Sequence, residues 1–97
     1  MRLQSQSSTL FLSKHDVLLL GIKNSLNMVF TTPDKFYQTL YRSIRIFFNG
    51  QRYLVGIGND YTVSESGGPG TGFDTVTLLS VAPRPLDILT ADYEVNF

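Results

Sequence analysis

His15 is the only imidazole in the chain, and Ser13 and Asp16 flank it, so the three side-chain types of a hydrolytic triad occur within four positions. A triad is defined by a base in reach of a nucleophile and oriented by a third group, and proximity along a chain does not supply that geometry. His15 is therefore expected to be a solvent-exposed or locally hydrogen-bonded loop residue. Asp87, Asp92 and Glu94 are the types that ligate hard cations, and Asp92 and Glu94 would share one face of a strand. No calcium-loop pattern surrounds them, and two acids on a wet strand face lack the apolar pocket that raises one carboxyl for glycoside chemistry. Gly56 and Gly58 fit neither phosphate-loop fingerprint, and turn geometry accounts for them. Cysteine is absent, which removes thiolate metal sites, disulfides and cysteine nucleophiles together. No catalytic, metal or cofactor residue is assigned, and the chain is expected not to be an enzyme or to take a small-molecule substrate.

A second chemistry, nucleic-acid binding, has better raw material. Arg42, Arg45 and Arg52 interleave with Tyr41, Phe47 and Tyr53, the ingredients of a stacking surface on a small β-barrel. Against it, Tyr53 shares an apolar face with Ile46, and eight basic residues are balanced by eight acidic ones, so counterion release would be weak. The zero net charge is unevenly distributed. Residues 1–59 carry seven basic and two acidic side chains, residues 60–97 one basic and six acidic, a division of +5 and −5. If the halves occupied different faces, copies could associate with opposite potentials in contact; if their strands interleave, the charges mix.

The elements that must position these residues are short. Ninety-seven residues make one domain. The longest apolar run, Val17 to Leu20, is far below the roughly 18 residues of a membrane span. Arg2 followed by a Ser/Gln segment is a poor signal peptide, which fits folding in a reducing cytoplasm. Residues 1–12 read as an extended N-terminal arm, because positions 2–9 have little to bury; residues 13–97 read as one β domain. Asp16 to Ile22 reads as a strand buried on both faces, with a helix over 13–26 as the competing reading. Leu26 to Phe30 alternates with period two, and Thr32-Pro33 ends it. A short helix is expected over 34–41, with Thr32 as its cap and Phe36, Tyr37, Leu40 and Tyr41 as its stripe.

The clearest local signal is a hairpin, residues 43–48 and 51–55 joined by Asn49-Gly50, a pair suited to the positive φ angles of a type I′ turn. Its register pairs Phe48 with Gln51 and Ile46 with Tyr53. Ile44, Ile46, Phe48, Tyr53 and Val55 then face a core, while Arg45, Phe47, Arg52 and Leu54 form the other face. Tyr61 and Val63, then Val76 and Leu78, point inward on later strands. The Ser66–Gly72 loop must lie at the surface, its conformation set by Gly67, Gly68, Gly70 and Gly72; Pro83 and Pro85 make a further turn. In the last strand Leu89, Ala91, Tyr93 and Val95 form a buried stripe with polar alternates. The expected fold is an antiparallel β-sandwich of six to eight short strands, with the hairpin at its centre.

The order of hairpin, Asp60-Tyr61-Thr62 strand, variable loop, Val76-Thr77-Leu78 strand, Ala82-Pro83 turn and closing strand with Tyr93 resembles the small β-sandwich modules of tailed-bacteriophage structural proteins. The resemblance covers about residues 43–95. It implies a virion component, assembled in the host cytoplasm, that works by protein contact in a tail, neck or baseplate, with capsid decoration (cement) as the alternative position and a nucleic-acid-binding β-barrel as a second alternative. Partners are then other copies of the chain and neighbouring virion proteins, with no specific nucleic acid and no membrane. The expected contact residues are Leu3, Leu10 and Leu12 on the arm and Arg45, Phe47, Arg52 and Leu54 on the hairpin.

Overall fold

Alternating sequence becomes strand where its inward residues find a second sheet to cover them. The computed structural model describes residues 11–38, 43–56 and 58–96. Among them are seven strands: β1 (Phe11–Leu18), β2 (Val29–Phe36), β3 (Arg45–Phe48), β4 (Gln51–Tyr53), β5 (Tyr61–Ser64), β6 (Phe73–Leu78) and β7 (Leu89–Asn96). They form two antiparallel sheets, one ordered β1-β7-β3-β4 and the other β2-β6-β5, and the described residues contain no helix. Residues from both sheets, among them Phe30, Ile44, Ile46, Tyr61, Val76, Leu78, Leu89, Ala91 and Tyr93, build one core. The expected β-sandwich is the observed fold.

The hairpin has the expected register, with Phe48 opposite Gln51 and Ile46 opposite Tyr53. Asn49 and Gly50 both have positive φ, 51° and 86°, as a type I′ turn demands. Its position in the sheet differs from expectation. β7 and the hairpin's first strand β3 are the two inner strands, while its second strand β4 lies at the edge. The reason is local: β4 spans only three residues, and at Leu54 the chain turns toward the other sheet. The Leu54 carbonyl accepts the Asp60 and Tyr61 amides, and Val55 makes a parallel bridge with Tyr61. Val55, expected in the core, is 40% exposed as a result.

Two further expectations are corrected. The segment expected to start a helix at Asp34 is strand through Phe36, and residues 37–38 are not helical; residues 39–42 lie outside the described residues. Pro33 is tolerated because the β2–β6 register shifts between Thr31 and Phe36, so its missing N–H falls where the ladder is interrupted. Phe36 is then buried beside the rings of Phe73 and Tyr93, and the Tyr37 amide donates to the Glu94 carbonyl. Sheet pairing outweighs the local helical spacing. The segment expected to be buried on both faces, residues 16–22, instead changes sheets. The Leu19 amide donates to Leu89 in the four-stranded sheet, and Leu20 bridges to Thr31 in the three-stranded one. Leu19 faces the core, and Gly21 faces Phe30 so closely that a Cβ would lie 2.5 Å from the ring. Leu18, Leu20 and Ile22 point outward.

The two sheets are tied by tyrosines. Tyr61 Oη on β5 donates to the Ile44 carbonyl at 2.9 Å, and Tyr93 Oη on β7 donates to Asp34 Oδ2 on β2 at 3.0 Å. Burial, reinforced by the Asp34 carboxylate, holds the Tyr93 phenol well above its ordinary value. Lys14 Nζ also approaches Asp34, at 3.7 Å, so one carboxylate on β2 meets both β1 and β7.

Candidate functional site

The residues weighed for chemistry are held apart. His15 belongs to β1 rather than to a loop, at a bulge where the pairing with β7 shifts between Lys14 and Val17 and Asp16 adopts φ 53°. The bulge turns the Asp16 amide onto Asp92 Oδ1, 2.8 Å away, and leaves His15 Nδ1 3.5 Å from Asp92 Oδ2. Ser13 Oγ instead approaches Glu94 Oε2, at 3.4 Å. No hydrogen bond joins Ser13 to His15 among the described residues, so the nucleophile–base contact of a triad is not formed there.

Asp92 and Glu94 share the outer face of β7, but that face is less wet than expected, with side chains 21% and 16% exposed. A central strand has neighbours on both sides. Arg45 on β3 donates to Glu94 at 3.2 Å, and its other guanidinium nitrogen donates to the Ser43 carbonyl at 3.0 Å. No group of three potential metal ligands occurs among the described residues. The alternation of β1, β7 and β3, and of β2 and β6, mixes the basic and acidic halves of the chain. Pairs such as Arg45–Glu94 and Lys35–Asp74 join residues from opposite halves, and the two sequence halves do not form two opposed charged faces.

The expected contact residues divide into three groups. Leu3 and Leu10 lie outside the described residues, as does the rest of the arm up to position 10; Phe11 and Leu12 already pair with β7. Leu12, 41% exposed, lies two strands from the hairpin. Arg45, Phe47 and Arg52 do come together: Phe47 is opposite Arg52 on one side and Thr90 on the other. Phe47 is half-buried, and Leu54 beyond them is 58% exposed. The nucleic-acid reading loses a platform here, because Tyr53 stacks on Phe48, with centroids 5.5 Å apart, and both pack against the core.

The turn residues build two polar knots. Asp87, buried between Pro83 and the hairpin turn, accepts the Arg84 amide at 2.7 Å, the Asn49 side-chain amide at 3.1 Å and the Arg84 guanidinium. Asn49 completes the lock by exchanging hydrogen bonds with the Ile88 backbone. Pro83 is fully buried, and its carbonyl accepts the Ser25 amide. These donors, the Arg84 amide foremost, hold the Asp87 carboxyl down at about 2 against an ordinary 3.8. Asp74 anchors the 66–72 loop in the same way. It accepts the Ser66 hydroxyl and amide, with Thr75 and Lys35 also contributing, and its carboxyl lies far below the usual range. Of the loop glycines, Gly72 combines a positive φ of 103° with a close neighbour, since a Cβ there would lie 3.1 Å from the Lys35 side chain, and a Cβ on Gly67 would lie 2.9 Å from Thr71 Oγ1. Gly67, Gly68 and Gly70 shape the turns around Pro69.

Depressed carboxyl values stabilise the fold above their unfolded pKa, and the contribution is lost as pH falls through the folded value. Unfolding midpoints in urea should therefore fall between about pH 4 and pH 2, and Asp87→Asn should flatten that slope. An unchanged slope would separate Asp87 from acid stability.

Two surfaces remain that the sequence reading did not identify. The first is a cleft of about 330 Å³ between the end of β2 and the 66–72 loop, lined by Phe36, Tyr37, Gln38 and Phe73 and closed at one side by Glu65, which accepts the Gly72 amide. The second is the outer face of the three-stranded sheet. Cross-strand partners share a face, so Leu20, Thr31, Thr75 and Ser64 lie in one row and Val29, Thr77 and Thr62 in the next. Five of the seven are serine or threonine, and Thr75 Oγ1 donates to Asp74, which pairs with Lys35. Leu20 is 51% exposed, Val29 49% and Ile22, two residues after Leu20, 69%. The four-stranded sheet presents the opposite character outward, with Arg45, Arg52, Asp92 and Glu94. Comparison of the chain with protein-family models, with curated proteins and with solved structures finds no match.

Proposed function

We propose that this chain is a non-enzymatic assembly module, a structural component of a bacteriophage-like particle that acts through contacts with copies of itself and with neighbouring proteins. A place in the tail, neck or baseplate follows from the resemblance described for residues 43–95, with capsid decoration as the alternative position. The observation that carries an assembly role is the set of exposed apolar side chains on the segment from β1 into β2, Leu18, Leu20, Ile22, Leu26 and Val29, all about half or more exposed. Clustered exposed apolar surface marks an interaction site. Small size points the same way, since a domain of about 100 residues has little apolar content to spare for the surface.

The arm supplies the second contact in this reading. β1 is an edge strand, and the ten residues before it carry Leu3 and Leu10 among small polar side chains. In this reading their role is contact with a neighbouring subunit. Deleting residues 1–10, which spares all of β1, should preserve the far-ultraviolet circular dichroism spectrum and weaken self-association in sedimentation velocity. A truncated chain that assembles as well as the full one removes the arm from the mechanism. A full chain that is monomeric, and that mass spectrometry does not find in particles from its own host, overturns the virion reading itself.

A further inference from the structure

We propose that Asn49 is a deamidation site, held shut in the folded chain by Asp87 and Ile88, and that its reaction irreversibly removes the lock between the hairpin turn and the 83–88 turn.

Asn49-Gly50 is the chain's one Asn-Gly pair. An asparagine deamidates when the amide nitrogen of the next residue attacks its side-chain carbonyl carbon, and glycine, with no side chain, obstructs that attack least. The Gly50 nitrogen forms a bond to Cγ of Asn49, the Cγ–Nδ2 bond breaks, and ammonia leaves with the proton that Gly50 gives up. Water then opens the cyclic imide at one carbonyl or the other, leaving aspartate or isoaspartate at position 49. Nothing is oxidised or reduced, and water is the only co-reactant. Both residues are exposed, and a Cβ on Gly50 would meet nothing within 4 Å, so crowding by neighbours does not prevent the reaction.

The protection lies in the side chain's partners. Asn49 Nδ2 donates to Asp87 Oδ1 at 3.1 Å, Asn49 Oδ1 accepts the Ile88 amide at 2.7 Å, and the Asn49 backbone amide donates to the Ile88 carbonyl at 2.7 Å. Both polar atoms of the carboxamide are thus committed to the 83–88 turn, and the group cannot swing onto the nitrogen of its own neighbour without releasing them. Asp87 cannot follow it, being buried and bonded to the Arg84 amide.

The product cannot rebuild the lock. Aspartate has no amide to donate and sets a second carboxylate against that of Asp87. Isoaspartate lengthens the main chain of a two-residue turn whose φ values, 51° and 86°, fix the pairing of Phe48 with Gln51. Reaction is therefore confined to chains whose 83–88 turn has come away from the hairpin, and it marks them permanently.

Deamidation rates of the full chain at neutral pH, folded and in guanidinium chloride, test this. Cleavage after Arg45 and Arg52 releases residues 46–52, in which Asn49 is the sole asparagine, and mass spectrometry reads the exchange of amide for acid. Because reaction requires local opening, the folded chain should react about tenfold or more slowly than the denatured one; a smaller ratio overturns the proposal. Asp87→Ala that keeps a native circular dichroism spectrum should react about fivefold or more faster than the folded wild type, through loss of one hydrogen bond to a charged group. A folded variant no faster than wild type removes Asp87 from the protection and overturns the proposal as well. Should that variant not fold, the reciprocal exchange decides. Asn49→Asp should lose stability in guanidinium unfolding, and Asn49→Asp combined with Asp87→Asn, which again sets one amide against one carboxylate, should be more stable than the two single losses predict. An Asn49→Asp variant as stable as wild type, or strictly additive losses, would show that the lock survives deamidation.

Discussion

Replacing Ile46 with alanine is expected to destabilise the domain by about 2 to 5 kcal/mol, a large part of the roughly 5 to 15 kcal/mol that holds a domain of this kind together. Ile46 is 0% exposed and sits on β3, hydrogen-bonded to β7 on one side and β4 on the other. The strand cannot move inward to fill the space without breaking both ladders. Of its two cross-strand neighbours, Ala91 is too small to fill the gap and Tyr53 is held by its stacking on Phe48. The cost therefore lies near the upper part of the range, where a cavity persists. Urea unfolding measures it directly, and a loss below about 1 kcal/mol would mean that Ile46 is not packed as described.

The second large effect is expected at Tyr61. Tyr61→Phe keeps the buried ring but removes the hydroxyl that donates to the Ile44 carbonyl, and an unsatisfied buried acceptor costs about 1 to 3 kcal/mol. Ile44 stands just before β3, and its amide donates to the Gln38 side chain rather than to a strand. The residue thus depends on side chains for both backbone groups, which is why a single hydroxyl matters there. Tyr93→Phe should cost less, because its acceptor Asp34 is partly exposed and retains Lys14 nearby. If the two Tyr→Phe variants lose the same stability, the hydrogen bond across the sheets at Tyr61 has no special weight.

The particular residues show what sequence could and could not reveal. Asn49-Gly50 announced a turn type, and a two-residue turn fixes register, so the pairing of Ile46 with Tyr53 followed without knowledge of the rest. The stripe of Leu89, Ala91, Tyr93 and Val95 was legible for a similar reason: eight paired residues of clean alternation leave one orientation. Strand order was not legible, because β7 joins β1 and β3 from the far ends of the chain and no local pattern encodes such pairing. Pro33 was misread because its effect depends on whether a partner strand needs its N–H, and that is a property of β6. Leu18, Leu20 and Ile22 were assigned to a buried strand on hydropathy alone. Their alternation was correct, but the surface they face could be known only once the segment was seen to cross between sheets. The candidate contact surface was missed by that one step.

The pairing of β1 with β7 also determines when the domain can close. Ser13 and Glu94, neighbours across that pair, are 81 residues apart in sequence, whereas the hairpin spans two residues of turn. Closure entropy rises with the logarithm of loop length, so the hairpin can form in about 1 to 10 μs while the β1–β7 ladder must wait until most of the intervening chain is organised. Folding is then expected in the millisecond-to-second range of nonlocal β topologies. During that interval β7 has β3 on one side and an open edge on the other. The strand that completes this sheet is expected to be the one reached last, and until it docks β7 keeps an unpaired edge of the kind that invites strands from other chains, against the advantage that tethering gives its own β1.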